Sequence, residues 1–222
     1  KDGDGVEVTD NGFVLVNYRI TDLEGNISSY TDAEAAKQLG DYSETNYYGP
    51  KFWTTYKTTI QAGLGNALYG LKAGSYRKIL VPSWLMTAKQ FDSEQGYLDY
   101  EDEESTTTYS NTIYEFTVTD FTEDIQKWQI DSIGRFFANE SVKIDGKPAN
   151  EVFSGMTAKD SVSTGFYYKQ LSAPADTAAF SKDTTIYINY IGKLLNGLVF
   201  DTTIERVAKD NGLYSAAKTY EP

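Results

Sequence analysis

The sequence predicts an α+β fold made of two related modules, each with a mainly antiparallel sheet. Three observations predict it. Apolar residues alternate with period two at Val14 and Val16 and again at Ile186 and Ile188, the mark of strands with one buried face. Strand-like runs follow one another with few helical stretches and no βαβ rhythm. The chain also repeats itself: at an offset of 172 (185 minus 13), residues 13–50 align without gaps on 185–222, with 12 identities in 38 positions. The identities set Asn17-Tyr18 on Asn189-Tyr190, Leu23 on Leu195, Gly25 on Gly197, Thr31 on Thr203 and Ala36-Lys37 on Ala208-Lys209. They continue with Gly40 on Gly212, Tyr42-Ser43 on Tyr214-Ser215, Tyr48 on Tyr220 and Pro50 on Pro222.

Taken in order, Asp2-Gly3-Asp4-Gly5 reads as a flexible start. The strand through Val14 and Val16 leads to a turn at Glu24-Gly25, and its repeat leads to the stronger hairpin signal Asn196-Gly197. Ile60 to Leu68 is predicted as a short helix despite Gly63 and Gly65. Arg77 to Val81 is a strand ended by Pro82. Lys89 to Asn111 is a long acidic insertion, and Ile113 to Val118 is the closing strand, with Tyr114, Phe116 and Val118 alternating. From Glu123 to Phe137, Ile125, Trp128, Ile133 and Phe136-Phe137 recur near helical spacing, which predicts a connecting helix. Residues 139–160, with Asp145-Gly146 and Pro148, read as linker, and Gly165 to Lys169 as an opening strand. The predicted organisation is a first module over 1–119 with its insertion at 89–111, a connecting helix and linker over 120–160, and a second module over 161–222. Because Pro222 aligns with Pro50, the second module is expected to be the N-terminal half of such a domain, the chain continuing beyond this sequence.

Composition limits the chemistry. A chain of 222 residues with 40% apolar and 14% aromatic residues can build two real cores. Its 18 Tyr suit strands and amphipathic surfaces. A net charge of −12 argues against nucleic acid and anionic membrane surfaces as partners. No apolar run approaches the ~18–20 residues of a membrane span. With no Cys and no His, thiol chemistry, His bases and the commonest zinc ligands are excluded together, so catalysis would use carboxylates, hydroxyls, Arg or a shaped apolar pocket. No cofactor or metal is expected. The acidic cluster Asp92, Glu94, Asp99 and Glu101 to Glu104 lacks the Asp-x-Asp-x-Asp-Gly ladder of a calcium loop and reads as solvated surface. Trp53, Trp84 and Trp128 read as core or interdomain packing rather than a sugar-stacking platform.

Residues Gly192 to Arg206 read GKLLNGLVFDTTIER, after TIYINY at Thr185 to Tyr190. This resembles the signature of the FKBP-type peptidyl-prolyl isomerases: a strand ending in Tyr, an Asp/Asn-Gly hairpin, then Phe-Asp-Ser-Ser and an Arg. Tyr190, Phe200, Asp201 and Arg206 stand at matching positions, with Thr202-Thr203 for the serines. Gly63 to Leu85, GLGNALYGLKAGSYRKILVPSWL, is similar to the family's helix, turn and Pro-ended strand. The resemblance covers about 6–119 and 163–222, and implies a twisted antiparallel sheet wrapped on a short helix. The first copy departs from it, with Ser28-Ser29 for Phe-Asp, Glu34 for Arg, Leu64 for the aromatic pocket floor and Thr87 for a Tyr. Tyr18 survives, so Tyr18, Ile60 and Leu64 would line a degenerate, wet, hydroxyl-lined and charge-reversed substrate pocket.

The resemblance implies isomerisation of X–Pro bonds, with activity in the second module and a role as a folding helper. The amide C–N bond resists rotation by ~18–20 kcal/mol, and a dry aromatic pocket lowers this by withholding hydrogen bonds from the planar form. Tyr190 and Phe200 would wall that pocket, and Asp201 would sit at its edge, paired with Arg206. Taken alone, the same residues read as ordinary core aromatics and a surface ion pair. Implied partners are proline-containing polypeptides, with no nucleic acid, the membrane reached only through a removed N-terminal lipid anchor, and a monomeric state. Acidic, Tyr-rich, Cys-free tandem modules resemble envelope lipoproteins of Bacteroidetes-type bacteria, which implies the periplasm or outer membrane. Two rivals stand beside the isomerase: a non-catalytic peptide-binding module, and a surface glycan binder using exposed Tyr and Trp.

Overall fold

Strand β1, Phe13–Thr21, is the axis of the first half of the molecule. The structure, a computed structural model, describes residues 1–104, 109–158, 165–173 and 179–222. These fall into two compact units, Lys1–Trp128 and Gln129–Pro222. The fold is α+β with antiparallel sheets, as the strand periodicity predicts.

In the first unit β1 is followed by β2 (Ile27–Tyr30), α1 (Ala33–Leu39), β3 (Lys51–Thr54), α2 (Ala62–Leu68), β4 (Tyr76–Val81), α3 (Glu94–Glu104) and β5 (Thr112–Thr122). β5 pairs along the whole of β1, with Val16 opposite Val118, Tyr18 opposite Phe116 and Ile20 opposite Tyr114. The other edge of β1 is shared, β3 covering Phe13 to Val16 and β2 covering Arg19 to Thr21. β4 completes the sheet beyond β5. Val14, Val16 and Val118 are fully buried, and with Leu64 and Leu68 from α2 they form the core. Gly63 is what lets α2 come this close, because a Cβ there would lie 2.4 Å from Val81 Cγ1. The helix starts at Ala62 rather than Ile60, and Ile60 is buried in the turn before it.

Several expectations need correction. The N-terminus is pinned, not flexible: Gly3 N–H donates to Ser75 Oγ at 2.9 Å, Gly5 N–H to the Ala73 carbonyl at 3.0 Å, and Arg77 pairs with Asp2 at 2.6 Å. Side-chain-free Gly3 allows it, since a Cβ would meet the Ala73 carbonyl. β5 runs past Val118 to Thr122, so the boundary placed at 119 cuts a strand. A register shift between Leu15 and Val16 puts Val118 and Phe121 on the same buried face, three residues apart, which breaks period two. The acidic insertion is partly helix: α3 buries Tyr97, and Phe91 packs on it at 5.4 Å between ring centroids. Its residues 105–108 lie outside the described residues.

The second unit contains most of α4 (Ile125–Phe137), which begins in the first unit at the predicted place. Residues 139–160 are not simple linker. They form a hairpin of β6 (Lys143–Ile144) and β7 (Lys147–Pro148), then α5 (Ala149–Val152) and β8 (Thr157–Ala158), which pairs with β9 (Tyr167–Tyr168). Asp145 and Gly146 both take positive φ, 48° and 81°, as a tight primed turn needs. Phe137 stacks on Phe153 at 4.6 Å and meets Tyr167 edge-on at 5.1 Å, which ties these pieces together. The predicted start of the second module, 161, lies outside the described residues.

β10 (Ile191–Lys193), β11 (Val199–Thr202) and α6 (Glu205–Asp210) repeat the end of β1, β2 and α1, although Ile204 gives α6 no side-chain N-cap where Asp32 caps α1. Ile20 faces Ser29 as Gly192 faces Asp201, each beside the same register shift. Gly25 and Gly197 share φ 91°. Tyr18 N–H donates to Thr31 Oγ1 at 2.9 Å, and Tyr190 N–H to Thr203 Oγ1 at 3.0 Å. Tyr42 stacks on Tyr48 as Tyr214 stacks on Tyr220, at 5.3 and 5.6 Å. Among the described residues no helix is long and apolar enough to cross a membrane.

All three Trp residues lie in the first unit, so intrinsic fluorescence reports its unfolding. Leu68→Ala, which opens a cavity beneath the sheet at a fully buried position, is expected to cost about 2–5 kcal/mol in urea melts followed by that signal.

Candidate functional site

In the first unit the site is built by β3 and the turn entering α2. Trp53 stands opposite Val14 across the β1–β3 pair, on the core side of the sheet. Its ring lies 4.9 Å from Tyr18, 6.2 Å from Tyr114 and 6.0 Å from Phe116, centroid to centroid. In front of it opens a cleft of about 430 Å³ lined by Ile20, Phe52, Trp53, Ile60, Leu64 and Tyr114, with Thr54, Thr59 and Gln61 at the polar positions. Tyr114 is almost fully buried and donates from its hydroxyl to Gln61 Oε1 at 2.8 Å. Burial pushes its phenol pKa up, and the Gln61 bond opposes this.

Of the predicted residues, Ile60 and Leu64 line this cleft, and Tyr18 packs at a tilt of 37° against the Trp53 that walls it. The cleft is open to solvent and carries the Thr54, Thr59 and Tyr114 hydroxyls, but the expected reversed charge is not in its lining. Ser28 and Ser29 lie along a different cleft of about 480 Å³ with Tyr30, Asn46 and Tyr48. Glu34 is taken up by Lys37 on α1 at 2.8 Å. Trp53 and Tyr114 are the site residues that sequence reasoning missed. Trp53 reads as core, which it also is, and the only signal for a site was its fall beside the Thr-rich turn into α2.

In the second unit Tyr190 and Asp201 are brought together and Phe200 stands beside them. The Tyr190 hydroxyl donates to Asp201 Oδ2 at 2.5 Å, Lys218 Nζ to Oδ1 at 2.5 Å, and Thr202 N–H to Oδ1 at 2.9 Å. The cation on Asp201 is therefore Lys218, not the expected Arg206. The loop from Ser215 to Tyr220, closed by the Ser215 N–H to Tyr220 hydroxyl bond at 2.9 Å, carries Lys218 back over the strand. Hydrogen bonds from Lys218 and then Tyr190 hold the Asp201 carboxyl down at about 2. The same contact raises the Tyr190 phenol and the Lys218 ammonium.

In the first copy Ser29 replaces Asp201, and its hydroxyl donates to the Tyr18 oxygen at 3.4 Å, while Asn46 replaces Lys218. The Tyr contact is thus kept in both copies, but only the second is ionic. Phe200 lies across Gly192, where a Cβ would come within 2.9 Å of the ring. Tyr190 and Phe200 remain 40% and 50% exposed, so a dry ring-lined cavity is not formed by the described residues of this unit. Among the described residues no cluster of three or more His, Cys, Asp or Glu could hold a metal ion.

No family profile and no curated protein matches the chain. Among solved structures it is similar to FkpA from Escherichia coli, with a TM-score of 0.35, 17% identity, and coverage of 55% of this chain and 45% of that one. It is also similar to a peptidyl-prolyl cis-trans isomerase from Pseudomonas syringae pv. tomato (TM-score 0.35, 16% identity, 55% of this chain and 70% of that one). A third is the three FKBP domains of wheat FKBP73 (TM-score 0.35, 19% identity, 56% and 44%). The chain spans 45% of the length of the first of these.

Titration of the Asp201 carboxyl by NMR is expected to give a value near 2, rising toward the ordinary value of about 3.9 in Lys218→Ala. Because the folded value is depressed, the stabilisation from this group is complete above about 3.9 and is lost as pH falls through about 2.

Proposed function

We propose that the protein recognises proline-containing polypeptides and acts as an FKBP-type peptidyl-prolyl isomerase and folding helper. The observation that carries this reading is the Trp53-walled cleft. It is an open cleft whose lining mixes the aromatic Phe52, Trp53 and Tyr114 and the aliphatic Ile20, Ile60 and Leu64 with the polar Thr54, Thr59 and Gln61, set on β1, β3 and β5, and such a surface can receive a compact apolar ring. X–Pro bonds exchange over tens of seconds unaided, and turning one requires no nucleophile, metal or cofactor. The chemistry is to favour the twisted amide over the planar one.

The two copies divide the work in this reading. The first binds the prolyl segment in the cleft between Trp53, Leu64 and Tyr114, and lacks a carboxylate at the position of Ser29. The second carries that carboxylate, Asp201, on Tyr190, with Phe200 alongside, and turnover is assigned to it. A first copy that holds extended peptide without turning it over is the form the binding-module reading takes here.

The full chain is assayed for exchange of a short Xaa-Pro peptide by NMR, with binding measured in parallel. Trp53→Ala is expected to weaken peptide binding roughly tenfold or more, whereas Asp201→Ala slows exchange without changing that affinity. Exchange at the uncatalysed rate in the wild-type chain would remove the isomerase reading, and turnover indifferent to both Asp201→Ala and Phe200→Ala would remove the assignment to the second copy.

A further inference from the structure

Next to the Trp53 cleft the first unit holds a second opening, and the repeat shows which groups are absent from it. In the second copy the Asp201 carboxylate accepts from the Tyr190 hydroxyl and from Lys218 Nζ, each at 2.5 Å, with Phe200 beside it. The first copy has Ser28 and Ser29 at the places of Phe200 and Asp201, and Asn46 at that of Lys218. A ring and a carboxylate are thus missing from the same framework, and a cleft of about 480 Å³ runs along the two serines.

Its lining is rich in donors. Tyr30, Asn46, Tyr47 and Lys51 border it with the serines, and no Asp or Glu does. Among the described residues the Lys51 ammonium, the Asn46 side-chain amide and the Tyr47 hydroxyl have no hydrogen bond or ion pair with protein. The loop that carries Asn46 and Tyr47 is nevertheless fixed. Tyr48 stacks on Tyr42 at 5.3 Å and accepts from the Ser43 N–H at 2.9 Å, and Asn46 N–H donates to the Ser43 carbonyl at 3.1 Å. The Tyr47 phenol lies against Gly49, where a Cβ would come within 2.6 Å of its oxygen.

The two clefts adjoin. Lys51 and Trp53 are alternate residues of β3, about 7 Å apart along the strand. Ser29 stands opposite Ile20, which lines the Trp53 cleft, and its hydroxyl donates to the oxygen of Tyr18, which packs on Trp53. We propose that the second cleft is a specificity subsite that takes an acidic side chain two residues from the proline of a bound polypeptide, an inference that rests on the Trp53 cleft being the prolyl site. The carboxylate of the ligand accepts from Lys51 and Asn46, in the place left open by the carboxylate that Ser29 lacks. An extended chain advances about 3.3 Å per residue, so a spacing of two matches that of Lys51 and Trp53. An unpaired ammonium beside neutral donors favours such an anion over its amide isostere.

The probes are the acetylated and amidated peptides Glu-Ala-Pro-Ala-Ala and Ala-Ala-Pro-Ala-Glu, with Gln for Glu in the controls, titrated into the full chain and followed by NMR. One Glu peptide is expected to bind roughly fivefold tighter than its control at low ionic strength, a gain that falls as salt is added. Lys51→Gln should bring that ratio to about one without changing the affinity of the control. Ser29→Asp, which installs the carboxylate of the second copy, should also abolish the gain by repulsion. Controls that bind as tightly as both Glu peptides would overturn the subsite and leave the prolyl reading standing, as would a gain that survives Lys51→Gln. Failure of every peptide to bind would overturn both.

Discussion

The pairing of β1 with β5 is the constraint from which the first unit follows. Once Val16 lies against Val118 and Tyr18 against Phe116, every second side chain of both strands is committed to one face. That face has to be covered by α2, whose Leu64 and Leu68 fill it, and the close approach requires a residue without a Cβ at Gly63. β3 can then join only where β2 leaves the β1 edge free, and this places Trp53 over Tyr18 and beside Tyr114. The cleft is the space left in front of that indole by the turn into α2. Its walls are backbone-anchored residues of three strands, so it is held open by the sheet rather than by its own contacts.

The duplicated segment separates what backbone sets from what side chains set. Both copies keep the hairpin register, the positive-φ Gly, the Thr hydroxyl that receives a Tyr N–H, and the stacked Tyr pair. These close the local turn and helix and depend on nothing further away. The chemistry differs at two positions. Ser29 and Asn46 are neutral, and Asp201 and Lys218 form an ion pair on the same framework. Both members of that pair are 40% exposed, so water and salt screen the attraction, and its effect lies more in fixing the carboxylate on Tyr190 than in stabilising the fold.

Local, periodic features were legible in the sequence: the repeat, the period-two strand through Val14 and Val16, the Asn196-Gly197 hairpin, α4, and the meeting of Tyr190 with Asp201, whereas the strand expected at Ile186 and Ile188 is not formed and both side chains are exposed. What escaped depended on residues far apart in the chain. Trp53 becomes a cleft wall only because Tyr114, sixty-one residues later, is folded beside it (114 minus 53). Lys218 reaches Asp201 through a turn closed by Tyr220, whereas Arg206 looked nearer because it is closer in sequence. In the insertion, the density of acids hid Tyr97 and Tyr100, whose spacing of three marks the inner side of α3. Asp2 to Gly5 looked mobile because glycine usually signals freedom, but here it permits contact with Ala73 and Ser75.

Exposure and chemistry are linked in the second copy. Asp201 is held ionised by Lys218 and Tyr190 yet stays in reach of water, so its position is fixed by the fold while its charge is screened by solvent. Two copies of one framework thus differ in the group set beside the conserved Tyr, a neutral hydroxyl on Tyr18 in the first and an oriented carboxylate on Tyr190 in the second.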